Sequence, residues 1–276
     1  MQRFRVSISI TRPLDPSTIL PRVPSDKRAI YDLRTIDMFM RHSKLLWRYF
    51  SAVARGRQIV HLLHISKTGG TALQYALQGH LTTKTSSIFL HDHNWHLRHI
   101  AQGQKAVIFF RHPIPRFVSA FYSRRRYGRP RYDVPWNQAE AAAFAQFASP
   151  NQLARALSSH EPAQCAAAHA AMDGIRLLND SFFKWIESDE YFASRAADIL
   201  LVGFQETLAA DFNALKRLLQ LPSRLELPAD NWSSHRNPPA DVRLDEIATA
   251  NLAVWYAQDI AFFEARRLEA LGGLPI

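Results

Sequence analysis

One cysteine, Cys165, stands in 276 residues, so no intrachain disulfide can form and a cysteine-built zinc site has no ligands. No apolar run approaches the roughly 18 residues that a membrane-spanning helix needs. The stretch Met1–Ile10 alternates apolar and polar residues and soon meets Pro13, so it lacks the apolar core of a secretory signal. Internal repeats and low-complexity linkers are missing too. Acidic residues are scarce relative to basic ones: 24 Asp and Glu face 34 Lys and Arg, a formal charge of +10. That excess favours anionic partners, whether nucleic acid, acidic lipid, acidic glycan or a phosphorylated cofactor, without choosing among them. What remains, a chain of this length with 47% hydrophobic residues, suits one α/β core with helical insertions.

Pro13, Pro16, Pro21 and Pro24 mark residues 11–26 as an irregular arm. Residues 27–55 space Tyr31, Leu33, Ile36, Phe39, Leu45 and Phe50 among basic residues. The spacing predicts one or two amphipathic helices packed on the core, a reading favoured over a membrane-surface helix. Residues 1–55 thus precede a single domain, 56–276.

The most informative stretch is His64-Ile65-Ser66-Lys67-Thr68-Gly69-Gly70-Thr71. The apolar run Ile59–Leu63 before it predicts a buried parallel strand, and Ala72–Leu77 after it has helical spacing. At such a turn two glycines let the backbone approach a ligand, and the first amides of the helix face an anion. Lys67 adds a charge on a long stem, and Thr68 and Thr71 add hydroxyl donors. The physics is that of a phosphate cradle. Further strands are predicted at Ser87–Leu90, Ala106–Phe110 and Asp198–Phe204, with helices between, so the sheet is parallel and covered on both faces. Ligands bind beyond the carboxyl ends of such strands. The cradle, the pair His91 and His93, and Arg111 each fall at one of those ends. Residues 136–195 predict a helical insertion, and 244–270 a last amphipathic helix.

In a nucleotide P-loop the lysine follows the glycines; here it precedes them. That order resembles the 5′-phosphosulfate loop of the sulfotransferases, which use 3′-phosphoadenosine 5′-phosphosulfate (PAPS). The wording H-I-S-K-T-G-G-T is similar to the carbohydrate sulfotransferase branch, with Ser66 where that branch usually has proline. Arg111-His112-Pro113-Ile114-Pro115-Arg116-Phe117-Val118-Ser119, about forty residues on, resembles the family's 3′-phosphate segment, with His112 in place of the usual aspartate.

The resemblance implies a three-layer, P-loop-NTPase-like α/β fold. It implies that Lys67, Thr68, Gly69, Gly70 and Thr71 hold the 5′ end of PAPS, and that Arg111 and Ser119 hold the 3′-phosphate. Five arginines crowd residues 124–131, and Arg124, by its spacing from Ser119, is the one expected to turn toward the cofactor. The His91-x-His93 pair resembles the paired histidines of uronyl 2-O-sulfotransferases. His93 is therefore the expected base and His91 the second candidate, since alternate residues at a strand end share a face. A metal held by His91, Asp92, His93 and His96 is disfavoured, because no further carboxylate or cysteine cluster completes the set. The acceptor expected is a hydroxyl of a polysaccharide or glycolipid. Golgi members carry an amino-terminal membrane helix; its absence here implies a soluble, cytoplasmic protein of bacterial type. An ATP-dependent phosphotransferase and a non-catalytic module for acidic glycans are the alternatives.

Overall fold

A computed structural model of the chain describes residues 33–230 and 243–272. The proline-rich arm and the His235-Arg236-Asn237-Pro238 loop lie outside the described residues. The chain divides into two units, residues 1–47 and 48–276. The boundary falls inside one helix, α1 (Leu33–Ala54), where the spacing allowed for two. Past the boundary, Tyr49 and Ala52 pack with Ile59 and Phe89.

The second unit is built on four parallel strands, β1 (Gln58–Leu62), β2 (Ser86–Leu90), β3 (Lys105–Phe110) and β4 (Ile199–Phe204), in the order β2-β1-β3-β4. The strands are near-continuous apolar runs because helices cover both faces of the sheet. Successive side chains of β3 point to opposite faces. Val107 and Phe109 meet Leu73 and Leu77 of α2 (Gly70–Leu77) and Phe212 and Leu215 of α9 (Leu208–Leu218). Ile108 and Phe110 instead meet Trp185 of α7 (Phe183–Ile186), Phe192 of α8 (Asp189–Ser194), and Phe262 and Phe263 of α11 (Ala257–Gly272).

A second, all-helical core forms where Phe117 and Phe121 of α3 (Pro113–Arg125) pack against four more helices. These are α4 (Gln138–Gln146), α5 (Pro150–Ala156), α6 (Pro162–Gly174) and α10 (Glu246–Trp255). The insertion expected at 136–195 is thus five short helices, α4 to α8, with clear start signals. Asn137 and Glu140 cap one another, and Ser149 and Ser188 accept from amides three residues on.

The final stretch is not one helix. It breaks at Tyr256, whose backbone leaves helical geometry and whose buried hydroxyl donates to Leu178 O at 2.6 Å. The apolar spacing runs through the break, so periodicity alone reads it as continuous. Among the described residues, no helix is long and apolar enough to cross a membrane.

The topology sets the position of any site. From β1 the chain crosses to β2 on one side, then returns to β3 on the other. The loops after β1 and β3 therefore diverge from a switch point, where a crevice opens at the carboxyl end of the sheet.

Candidate functional site

A cavity of about 1190 Å³ opens at that switch point, lined by Lys67, Gly69, Gly70 and Thr71 after β1 and by Arg111 and Ser119 after β3. The loop into α2 is shaped by its glycines. Gly69 sits at φ +88, a left-handed conformation that glycine adopts without strain. Gly70 lets the ring of His64 come close: a Cβ there would stand 2.2 Å from His64 Cδ2. The carbonyl of Gly69 takes the amides of Ala72 and Leu73. The amides of Gly70 and Thr71 are the orphan donors of the first turn. Thr68 is spent on the loop itself, its hydroxyl donating to Ile65 O at 3.0 Å, so it offers a ligand only its backbone.

Lys67, half-buried, makes no hydrogen bond or ion pair through its ammonium among the described residues. Burial, then the positive charges of Arg126 and Arg111, push its pKa down from 10.5 to about 7. Among the described residues, Arg111 has only a long contact, 3.5 Å from Nη1 to Lys67 O, and its buried Nε has no acceptor. Burial also lowers its pKa, Glu206 opposing and Arg116 adding to that effect. Two cations thus line one crevice with donors to spare.

His112 serves where the resembling segment has aspartate. Its Nδ1 accepts from Ile114 N–H at 3.3 Å, capping α3, and its own amide donates to Glu206 at 2.9 Å. Arg116, from the same segment, is a positioning residue to which the sequence reading gave no role. Only 3% exposed, it donates from Nε to Ser66 O at 3.0 Å and from Nη1 to Asp180 O at 2.7 Å, beneath the loop that carries Lys67. Its place in the motif was visible in the sequence; its partners, 50 and 64 residues away, were not.

Arg124 borders the cavity, yet its donors are committed elsewhere. Its Nε meets Glu140 at 2.6 Å and Nη2 meets Glu140 at 2.9 Å and Val134 O at 3.2 Å. Glu140 is fully buried and also takes Arg176 at 2.8 Å. Burial favours its neutral form, but the hydrogen bonds from Arg124, Arg176 and the Asn137 amide outweigh this and hold its pKa at about 2. The triad ties α3 to α4 and to the chain after α6.

The two histidines part company. Strand β2 ends at Leu90, so alternation does not carry on to residues 91–93. His93 lines the cavity, and its Nδ1 lies 2.8 Å from His64 O. A carbonyl can only accept, so Nδ1 carries the proton and Nε2 keeps its lone pair. Burial lowers the His93 pKa, the His64 carbonyl pulling the other way, which keeps the ring neutral near pH 7. His91 is turned away from the crevice. It stacks on Trp95 with ring centres 3.9 Å apart and pairs through Nε2 with His61 Nδ1 at 2.7 Å. Burial and the neighbouring His61 push its pKa down to about 3. Among the described residues, no group of three or more His, Cys, Asp or Glu is placed to hold a metal ion.

Tyr127, Gly128, Tyr132 and Leu177 line the cavity beyond Ser123, while Gln205, Leu208 and Leu227 line it beside Gly69. No family model and no curated protein matches the chain.

Proposed function

We propose that this chain is a sulfotransferase of P-loop-like fold that moves a sulfuryl group from PAPS to a carbohydrate hydroxyl. One convergence carries the reading: among the described residues, an ammonium without a partner and two orphan amides after β1, a guanidinium with an unpartnered Nε after β3, and a histidine whose Nδ1 is fixed on a carbonyl, all lining one crevice. The donor set fits a ligand with an anion at each end. Lys67 and the amides of Gly70 and Thr71 would hold its 5′ end, and Arg111 and Ser119 its 3′-phosphate. PAPS, when bound, supplies an activated sulfuryl group whose transfer passes through a loose, in-line transition state.

The protein's part is positioning and charge. His93 Nε2 takes the proton of the acceptor hydroxyl, while Nδ1–H, fixed on the His64 carbonyl, keeps the ring oriented. Lys67 places its ammonium where negative charge grows on the departing 5′-phosphate oxygen, in a site partly withdrawn from water.

Thermal melting with adenosine 3′,5′-bisphosphate and with ATP tests the cofactor: the bisphosphate raises the melting temperature and ATP much less, whereas equal shifts overturn the assignment. Transfer of labelled sulfate to glycans tests the base. His93→Ala is expected to lose roughly 10²- to 10⁴-fold in turnover while still binding the bisphosphate. Full turnover would remove His93 from the mechanism.

A further inference from the structure

A second cavity, of about 440 Å³, opens at the amino end of the sheet. Its walls are the segments that lead into the strands: Arg57 before β1, and Thr82, Thr83 and Lys84 before β2. His80, after α2, and Gln220 to Pro222, after α9, complete it. The strands run parallel, so this cavity lies about 17 Å, a five-residue strand's length, from the crevice of Lys67 and Arg111. Backbone hydrogen bonds fix its frame. Gln58 N–H donates to Thr85 O at 2.8 Å, joining the two strand entries, and Thr83 N–H donates to Ser86 O at 2.9 Å. Thr83 Oγ1 accepts from Ser86 N–H at 3.0 Å, which closes that turn. On the far wall Gln220 turns the chain at φ +53, and Leu221 N–H donates to Lys216 O at 2.9 Å.

The lining is basic and unbalanced. Arg57 and Lys84 bring two permanent cations and His80 an imidazole, while no Asp or Glu lines the cavity. Among the described residues, none of these three side chains has a hydrogen bond or an ion pair within the chain. Other surface cations do find carboxylates: Arg98 meets Glu187 at 2.7 Å, Arg155 meets Asp245 at 2.7 Å, and Lys184 meets Asp180 at 2.5 Å. Helices α2 and α9 end three and two residues before His80 and Gln220, and their carboxyl ends make a cation tolerable nearby. That does not explain Arg57 and Lys84, which belong to neither helix. A guanidinium fork, an ammonium and the exposed hydroxyl of Thr82 are the donors that a tetrahedral oxyanion takes. We propose that this cavity is a second anion site, for a sulfate or phosphate group that is either free or carried on a glycan chain. It goes beyond the nucleotide reading and rests on none of it.

Fluorescence anisotropy of the full chain with a labelled dextran sulfate oligosaccharide tests the assignment in wild type, R57Q/K84Q and R98Q/R155Q. The first double variant is expected to bind about tenfold more weakly, having lost two charge-assisted contacts. The second removes two charges elsewhere and should lose about twofold or less. Sodium sulfate added as competitor separates the two sources. Displacement of the oligosaccharide from wild type makes the free oxyanion a ligand, and persistence of the complex makes it the glycan chain; either result supports the site. Equal losses in both double variants indicate a diffuse effect of charge and overturn the inference. A wild-type protein that ignores the oligosaccharide overturns it as well. So does R57Q/K84Q that binds like wild type but melts lower, since its cations would then serve only the helix ends. If R57Q/K84Q fails to fold, K84E, at an exposed residue, carries the same expectation of weakened binding, and unaltered binding by K84E overturns the inference. None of these outcomes bears on the nucleotide reading.

Discussion

If a nucleotide binds as proposed, raising the pH should loosen it, by an amount set by the depressed pKa of Lys67. In the free protein Lys67 titrates at about 7, because burial and two neighbouring cations oppose its charge. A phosphate seated on the ammonium reverses that balance, so the bound form keeps its proton well above pH 7. Below pH 7 the ammonium is present before and after binding, and its titration costs no affinity. Above pH 7 the free lysine has lost its proton and must regain one as the nucleotide binds. Affinity then falls with a slope approaching tenfold per unit, about 2.3 kcal/mol in all between pH 7 and 9. The 5′-phosphate itself is already a dianion there, its second pKa being about 6. Calorimetry at pH 8 in buffers of different ionisation enthalpy should register uptake of nearly one proton per nucleotide bound. Lys67→Arg, which cannot titrate in this range, should remove both the slope and the proton. A flat affinity from pH 7 to 9 in the wild type would refute the argument, and so would an unchanged slope in Lys67→Arg.

Two further results are expected. Gly70→Ala places a methyl 2.2 Å from His64 Cδ2, so the buried His64 ring or the loop must shift; bisphosphate binding should weaken and stability should fall by about 1–3 kcal/mol, read from a urea transition. Wild-type binding by that variant would show that the close approach is dispensable. The His61–His91 pair predicts acid sensitivity: Gln104 Oε1 accepts from His61 Nε2 at 2.7 Å, so His61 Nδ1 must accept from His91, and both rings are neutral. Burial holds both pKa values below the ordinary 6.5, against a raising contribution from Gln104 at His61. The unfolded chain therefore binds protons that the folded one refuses. Stability is complete above pH 6.5 and is lost as the pH falls toward about 3, His91 alone costing about 2 kcal/mol at pH 5. His91→Gln should flatten the acid side of the stability curve by about one proton; an unaltered curve would mean that the pair is not the cause.

The strands were legible because each is largely buried on both faces and so reads as a near-continuous apolar run. The turn that carries Lys67 was legible because a glycine pair between an apolar run and a helical one marks a tight strand-to-helix turn. Features decided by tertiary geometry were not. Arg124 and Arg126 sit two residues apart yet part company because Glu140, from a separate helix, takes the first, while the second reaches Arg129 O. His91 and His93 diverge because the strand stops one residue before them, and a period of two holds only inside a strand. Thr68 looked like a ligand donor, yet its hydroxyl closes the loop three residues back. Arg116 sat in plain view in its motif, but its value lies in the carbonyls it reaches across the fold.

Lys67 and Arg111 are 44 residues apart in the chain, yet each follows one of two strands that lie side by side, with Leu62 opposite Val107. Parallel neighbours cannot zip from a local hairpin; the intervening β2 and its crossover must be threaded first. The loop can therefore adopt its shape early, while the proposed grip on a two-ended anion needs the third strand docked beside the first. During refolding, nucleotide capture should lag behind helix formation and keep time with closure of the sheet.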